Sequence, residues 1–265
     1  MSQNAKGANV NRNPYDLKGK NALITGSSRG LGKMFARALL TAGARVFLNG
    51  RDKNTLDESC AELKADGYPH VFATVFDVTK EDQVEQALND LQDQHGSVHI
   101  LVNNAGIQHR ASLEQFPEDA WRKIMDINLT GPFLVAKHVA RQMIKDGGGK
   151  IINICSLQSE LGRPTIAPYA ASKGGLQMLT RGMATDWARY NIQVNAIAPG
   201  YFITEMTRPL ADDPVFDGWL KKRTPANRWG DPEELTGALM LFASDASSFI
   251  NGQTLFVDGG IKASV

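Results

Sequence analysis

Tyr169 and Lys173 stand four positions apart in Tyr169-Ala-Ala-Ser-Lys173. On a helix that spacing is one turn and puts both side chains on one face. A carbonyl that accepts hydride becomes an alkoxide and needs a proton. A tyrosine can supply it, although a free phenol, with a pKa of ~10, exchanges poorly near neutrality. An ammonium one turn away should favour the phenolate and lower that pKa by roughly one to three pH units. Ser156 follows an apolar run, where its hydroxyl can polarise the same carbonyl as an oxyanion donor does. Tyrosine and lysine at helical spacing are common, so the chemistry depends on what surrounds the pair.

The strongest surrounding signal is Thr25-Gly26-Ser27-Ser28-Arg29-Gly30-Leu31-Gly32, directly after the apolar run at 21–25. Its glycines permit a tight turn and a close approach of backbone to a pyrophosphate. The helix that follows presents unpaired N–H groups to that anion. The spacing is TGxxxGxG rather than GxGxxG, but its place between strand and helix marks a dinucleotide site. An NAD site usually carries an acid at the end of the second strand, about 20 residues on. Here that stretch reads Asn49-Gly50-Arg51. Arg29 and Arg51 can fork onto a 2′-phosphate, which favours NADP(H). Asp52 reads as an outward helix cap.

These residues need a scaffold. Short apolar runs at 21–25, 45–49, 71–76, 99–103, 150–154, 193–197 and 254–257 read as strands. Helical patterns occupy 30–42, 56–66, 81–95, 118–129 continuing toward 145, 169–190 and 232–243, with a kink expected at Gly131-Pro132. Such alternation predicts an α/β, single-domain, Rossmann-type doubly wound parallel sheet of about seven strands with helices on both faces. Residues 1–16 read as a flexible polar tail and 17–265 as the catalytic domain. The segment 201–230 breaks the rhythm with Pro209, Pro214, Pro225, Phe202, Phe216 and Trp219. Its position after the sixth strand suits a substrate lid.

With 29 Lys and Arg against 28 Asp and Glu, nothing marks a nucleic-acid partner. No apolar run approaches the ~20 residues of a membrane span. The first 14 residues lack the apolar core of a signal peptide, so a cytoplasmic location is expected. Cys60 and Cys155 have no metal-ligand spacing, and Cys155 reads as buried packing beside Ser156. No metal site is expected, and His109 is given no role. Asn128-Leu-Thr130 matches a glycosylation acceptor without a secretion signal to support that use.

The glycine turn, Asn103-Asn104-Ala105-Gly106 and Tyr169-Ala-Ala-Ser-Lys173 together resemble the short-chain dehydrogenase/reductase family, over nearly all of 17–257. The resemblance implies that Asn128, Ser156, Tyr169 and Lys173 form a catalytic tetrad, with Asn128 holding a water that links Lys173 to solvent. It assigns Asp77 and Val78 to the adenine end of the cofactor, and Asn104, Ala105 and Gly106 to its ribose. Pro199, Gly200 and Thr204 fall to the nicotinamide end, with Tyr169 and Lys173 also touching cofactor. Gly26, Ser28, Arg29, Gly30, Leu31, Gly32 and Arg51 complete the set. A homotetramer is implied, with the helices beginning near Glu118 and Tyr169, and the strand near Val257, at its contacts.

The stretches 151–162, 107–110, 198–207 and 222–232 are similar to sugar-acid members of that family. They imply reversible oxidation of D-gluconate to 5-dehydro-D-gluconate. Such a substrate needs a cation for its carboxylate and polar groups for its hydroxyls. Arg110 is the expected anchor, with Arg163 and Arg208 as other candidates. Gln158, Ser159 and Glu160 follow Ser156 and can meet hydroxyls; Ser156 and Tyr169 would meet the reacting centre. Two alternatives stay open. One is a reductase of the same family for a different polyol, keto sugar or 3-oxoacyl thioester. The other is a dinucleotide sensor without turnover.

Overall fold

Seven apolar runs become the strands β1 (Asn21–Ile24), β2 (Arg45–Gly50), β3 (Val71–Val75), β4 (Ile100–Asn103), β5 (Gly149–Ile154), β6 (Ile192–Pro199) and β7 (Thr254–Val257). They belong to a computed structural model that describes residues 13–265. The central strands β1, β4, β5 and β6 are buried along nearly their whole length rather than on alternate residues, as strands covered on both faces must be. All pair in parallel, in the order β3-β2-β1-β4-β5-β6-β7. The chain runs outward from β1 to β3, returns to β4 and then runs outward the other way. β1 and β4 therefore form the switch point, beyond whose carboxyl ends a crevice opens.

The helices are α1 (Gly30–Thr41), α2 (Lys53–Ala65), α3 (Glu81–His95), α4 (Glu118–Met125), α5 (Gly131–Asp146), α6 (Ala167–Trp187), α7 (Arg208–Ala211), α8 (Pro214–Arg223) and α9 (Thr236–Ala243). Strand pleating divides the core. Ala22 and Ile24 face one way and pack with Phe35 and Leu39 of α1, Leu56 and Leu63 of α2 and Phe242 of α9. Leu23 faces the other way, with Leu88 of α3, Val139 of α5 and Met183 of α6.

A buried polar ladder fixes α6 against the sheet. Asn103 and Asn153 are cross-strand partners, and the Asn103 amide donates to Asn153 Oδ1 at 2.9 Å. The Asn153 amide donates in turn to Thr180 Oγ1 on α6, also at 2.9 Å. Buried polar groups of this kind are costly when unpaired, so the ladder specifies one placement of the helix.

The helix expected to run from 118 toward 145 is broken by a wide π turn at Asp126–Thr130. There the Gly131 N–H reaches the Asp126 carbonyl, five residues back. Pro132 has no N–H to offer the Asn128 carbonyl, and a π turn absorbs that loss. The insert at 201–230 is closed at its neck: the Gly230 N–H donates to the Tyr201 carbonyl at 2.9 Å. It holds α7 and α8 rather than open loop. Of the polar tail expected at 1–16, residues 1–12 lie outside the described residues. Among the described residues no helix is long and apolar enough to cross a membrane, and no cluster of His, Cys, Asp and Glu could hold a metal ion.

Candidate active site

The glycine turn lies at the switch point, between β1 and α1. Gly26 has φ +61°, and a Cβ there would stand 2.8 Å from the Ala105 Cα. A Cβ on Gly32 would meet the Gly26 carbonyl at 2.5 Å. No side chain could be added at either position without moving backbone. α1 begins at Gly30 with no side-chain cap, so its first N–H groups remain available to an anion.

Polar residues lock the turn to its neighbours. Thr25 Oγ1 accepts from the N–H groups of Asn104 and Ala105, at 3.0 and 3.1 Å. The Asn104 amide donates back to the carbonyls of Thr25 and Gly26. Ser27 and Asn49, which sequence reasoning did not single out, hold the ends of β1, β2 and β3 together. The Asn49 N–H donates to Ser27 Oγ, and its amide donates to the carbonyls of Thr74 and Phe76. The signal for Asn49 was a polar residue within an apolar strand run, whereas Ser27 lay inside the glycine turn.

Both turn-side arginines face carboxylates. Arg29 lies 3.6 Å from Glu205 of the 201–230 insert, and Arg51 lies 3.9 Å from Asp77. All but Asp77 are largely exposed, so these pairs are weak and exchangeable. Asp52 caps α2 by accepting from the Thr55 N–H at 2.8 Å, as expected. Burial pushes the Asp77 carboxyl up, but bonds from the Thr79 N–H and hydroxyl, aided by Arg51, hold it below the usual carboxylate range. Val78 is buried beneath Gly131, where a Cβ would come within 2.9 Å of it.

The tetrad residues converge where β5, the π turn and α6 meet. Asn128 is fully buried on the π turn. Its Oδ1 accepts from the Ile107 N–H at 2.8 Å, and its amide donates to the Ile107 carbonyl and to Ser172 Oγ. Ser172 Oγ donates to the Tyr169 carbonyl at 2.7 Å. Lys173 Nζ donates to the Ile154 carbonyl at 2.7 Å, and a Cβ on Gly106 would lie 3.5 Å from that ammonium. The loop at 104–107 thus joins the glycine turn to Lys173.

Ser156 is buried and caps the short turn Leu157–Ser159 by accepting from the Gln158 N–H at 3.1 Å. Ser159 Oγ accepts from the Ser156 N–H and donates to the Lys173 carbonyl, fastening this turn to α6. Burial pushes the Tyr169 phenol above its ordinary pKa, while the adjacent Ser156 side chain opposes that rise. The direction is opposite to the one expected from spacing alone. The physical reason is desolvation of the phenol beside the buried Lys173. Lys173 is itself pushed down to about 8 by desolvation, and its ammonium is committed to a backbone carbonyl. Cys155 is pushed up to about 11 by burial, so it is inert packing as expected.

At the carboxyl end of β6, a Cβ on Gly200 would stand 2.7 Å from the Asp258 Cα, and Pro199 ends the strand. Thr204 is held in a turn, its N–H donating to Thr207 Oγ1 at 2.9 Å. The substrate residues proposed from sequence meet different fates. Arg110 is exposed at the rim, and Gln158 donates to the Tyr201 hydroxyl at 3.5 Å while its Oε1 is buried without a partner. Glu160 is already engaged: it accepts from Gln177 at 2.6 Å and pairs with Lys262 at 2.5 Å.

Set against known proteins, residues 20–214 match the family model described as short chain dehydrogenase. The chain is 51% identical to a gluconate 5-dehydrogenase of Gluconobacter oxydans strain 621H, over 95% of this chain and 98% of that protein. It is 49% identical to the 5-keto-D-gluconate 5-reductase of Escherichia coli K12, with the same coverage of both chains. A crystal structure of a gluconate 5-dehydrogenase from Burkholderia cenocepacia J2315, in complex with NADP and tartrate, superposes with a TM-score of 0.93 at 53% identity. That match covers 95% of this chain and 98% of the other. The chain belongs to the short-chain dehydrogenase family.

Proposed function

We propose that this chain is an NADP(H)-dependent oxidoreductase that interconverts D-gluconate and 5-dehydro-D-gluconate. The observation that carries this reading is the joint placement of Ser156, Tyr169 and Lys173 at the carboxyl end of β5, joined through 104–107 to the glycine turn. The relatives of similar length and about half-identical sequence supply the substrate class.

The residues present fit NADP(H). The cradle at Gly26 and Gly32 excludes side chains, α1 offers free N–H groups, and Arg29 and Arg51 can exchange carboxylate partners for a 2′-phosphate. Asp77 and Val78 would flank the adenine, Asn104 to Gly106 the ribose, and Pro199, Gly200 and Thr204 the nicotinamide end. When bound, the cofactor supplies or accepts the hydride.

In reduction, the Tyr169 phenol gives its proton to the carbonyl oxygen while the Ser156 hydroxyl donates a hydrogen bond to the same oxygen. Lys173 stabilises the phenolate left behind, and Asn128 holds the backbone at Ile107 that borders the site. In oxidation the phenolate takes the proton back. Arg110 receives the substrate carboxylate, and Gln158 offers its unpartnered Oε1 to a hydroxyl. Glu160, tied to Lys262 and Gln177, shapes the loop and meets substrate only at its edge.

A homotetramer agrees with the exposed apolar side chains of Trp121 on α4, Phe133 on α5 and Met178 on α6, and with exposed Leu255 on the edge strand β7. Two free, buried cysteines suit a reducing cytoplasm. The test is turnover of 5-keto-D-gluconate, other keto sugars and a 3-oxoacyl thioester, each with NADPH and NADH. Preference for 5-keto-D-gluconate with NADPH is expected. Preference for another carbonyl would move the substrate assignment, and NADPH binding without any turnover would favour a sensor.

A further inference from the structure

The rim of the site carries two arginines with no acid beside them. Arg110 belongs to the loop after β4, and Arg163 to the loop after Ser156. The Ala111 N–H donates to the Thr165 carbonyl at 3.2 Å, which binds the two loops and brings both arginines to one edge. After desolvation, the neighbouring charge of Arg163 is what holds the Arg110 guanidinium below its ordinary pKa. Among the described residues the arginine salt bridges engage Arg29, Arg37, Arg51, Arg122 and Arg228, and neither Arg110 nor Arg163 is in one. Adjacent like charges without a counter-ion are unfavourable, and an anion between them relieves that cost.

Arg163 also has a platform. Its guanidinium carbon lies 4.5 Å from the centre of the Phe216 ring on α8. Phe216 packs with Tyr201, Trp219 and Trp229 at centroid distances of 5.7, 5.2 and 6.2 Å. Leu157 and Leu161, from the loop that carries Ser156, join the same cluster. Arg163 therefore sits where the α7–α8 insert meets the loop that positions the reacting groups.

We propose that Arg163 is a second carboxylate ligand, which clamps the acid end of the substrate together with Arg110 while its stack on Phe216 holds the α8 insert against the loaded site. The clamp rests on the sugar-acid reading above. A planar guanidinium can lie flat on a ring and still present N–H groups from its edge, so Arg163 serves both contacts at once. A lysine keeps the charge but not the stacked fork. One carboxylate neutralises the pair, whereas a substrate with a neutral far end leaves two cations unpaired. The clamp thus selects sugar acids over the matching neutral keto sugars.

The experiment compares 5-keto-D-gluconate with L-sorbose, which has the same carbonyl surroundings and a neutral far end, in the full-length protein. Arg163→Met should raise KM for the acid roughly 10- to 100-fold. It should affect L-sorbose far less, so the acid-to-neutral selectivity ratio collapses. Arg163→Lys should recover part of the loss. Phe216→Leu should raise KM for the acid severalfold with kcat and NADPH affinity little changed. The clamp is overturned if Arg163→Met leaves the acid's KM unchanged, or if acid and neutral substrates suffer equally, which marks a packing residue. A wild-type enzyme that ignores 5-keto-D-gluconate but turns over another keto acid overturns the sugar assignment alone, and the same variants then decide the clamp with that acid. A wild-type preference for neutral carbonyls overturns both.

Discussion

The Lys173 ammonium stands 5.8 Å from the centre of the Tyr169 ring and donates its bond to the Ile154 carbonyl rather than to the phenol. Desolvation therefore governs both groups, in a pocket that disfavours charge on either. Lys173 titrates at about 8, well below an ordinary lysine, and Tyr169 above an ordinary tyrosine.

A pH profile follows. Below about 8 Lys173 is charged and Tyr169 keeps its proton, the state that reduction needs. As pH rises through about 8 the ammonium is lost, and kcat/KM for reduction should fall. Lys173→Met should lose roughly 100- to 10,000-fold in kcat and should lack that alkaline limb. A limb that persists unchanged in Lys173→Met would belong to another group.

Asn128→Ala removes three hydrogen bonds from a fully buried site and orphans the N–H and carbonyl of Ile107. The cost should be about 2 kcal/mol. In thermal melts that corresponds to a fall in Tm of roughly 4–8 °C for a chain of this size. Activity should fall as well, because the Ile107 backbone borders Gly106 and Lys173. An unchanged Tm would mean that water replaces the amide at no cost.

Arg51→Ala should raise KM for NADPH at least tenfold, on the order of one charge-assisted phosphate contact, and leave NADH little affected. Arg29→Ala should act in the same direction. Equal losses with both cofactors would place the two arginines away from the 2′-phosphate.

The motifs that carry chemistry over short spans were legible in the sequence. The glycine turn, the Tyr169–Lys173 spacing and the Asp52 cap depend on neighbours within a few residues, and the strand–helix alternation sufficed for the parallel sheet. What escaped depends on partners far along the chain. The Asn103–Asn153–Thr180 ladder needs the strand register. Glu160 looked free for substrate because Lys262 lies about a hundred residues downstream. The π turn was visible only as a kink at Gly131-Pro132, since the missing Pro132 N–H says that a bond is lost but not how the helix widens around it. The sign at Tyr169 was misread because spacing reports the nearby ammonium and says nothing of burial.

Lys150 offers a stability prediction away from the site. It is buried at the start of β5 with Ser247 Oγ 3.4 Å from its ammonium, and burial lowers its pKa to about 8 although the Asp245 charge opposes that fall. Because the folded-state pKa is below the unfolded one of ~10.4, its destabilising effect is greatest at low pH and fades as pH rises above about 8. Lys150→Met should therefore stabilise the protein by about 1–2 kcal/mol at pH 7. The gain should shrink toward pH 10 in denaturant titrations. A loss of stability at pH 7 would show that the ammonium is better satisfied than its contacts indicate.

The most direct test sets the wild-type protein beside Tyr169→Phe and follows NADPH oxidation with 5-keto-D-gluconate, with NADPH affinity measured on both. The account predicts rapid turnover by wild type and a loss of at least ~100-fold in kcat for Tyr169→Phe, with NADPH affinity retained. Comparable turnover by the two proteins would contradict it, because the proton would then come from a group other than Tyr169.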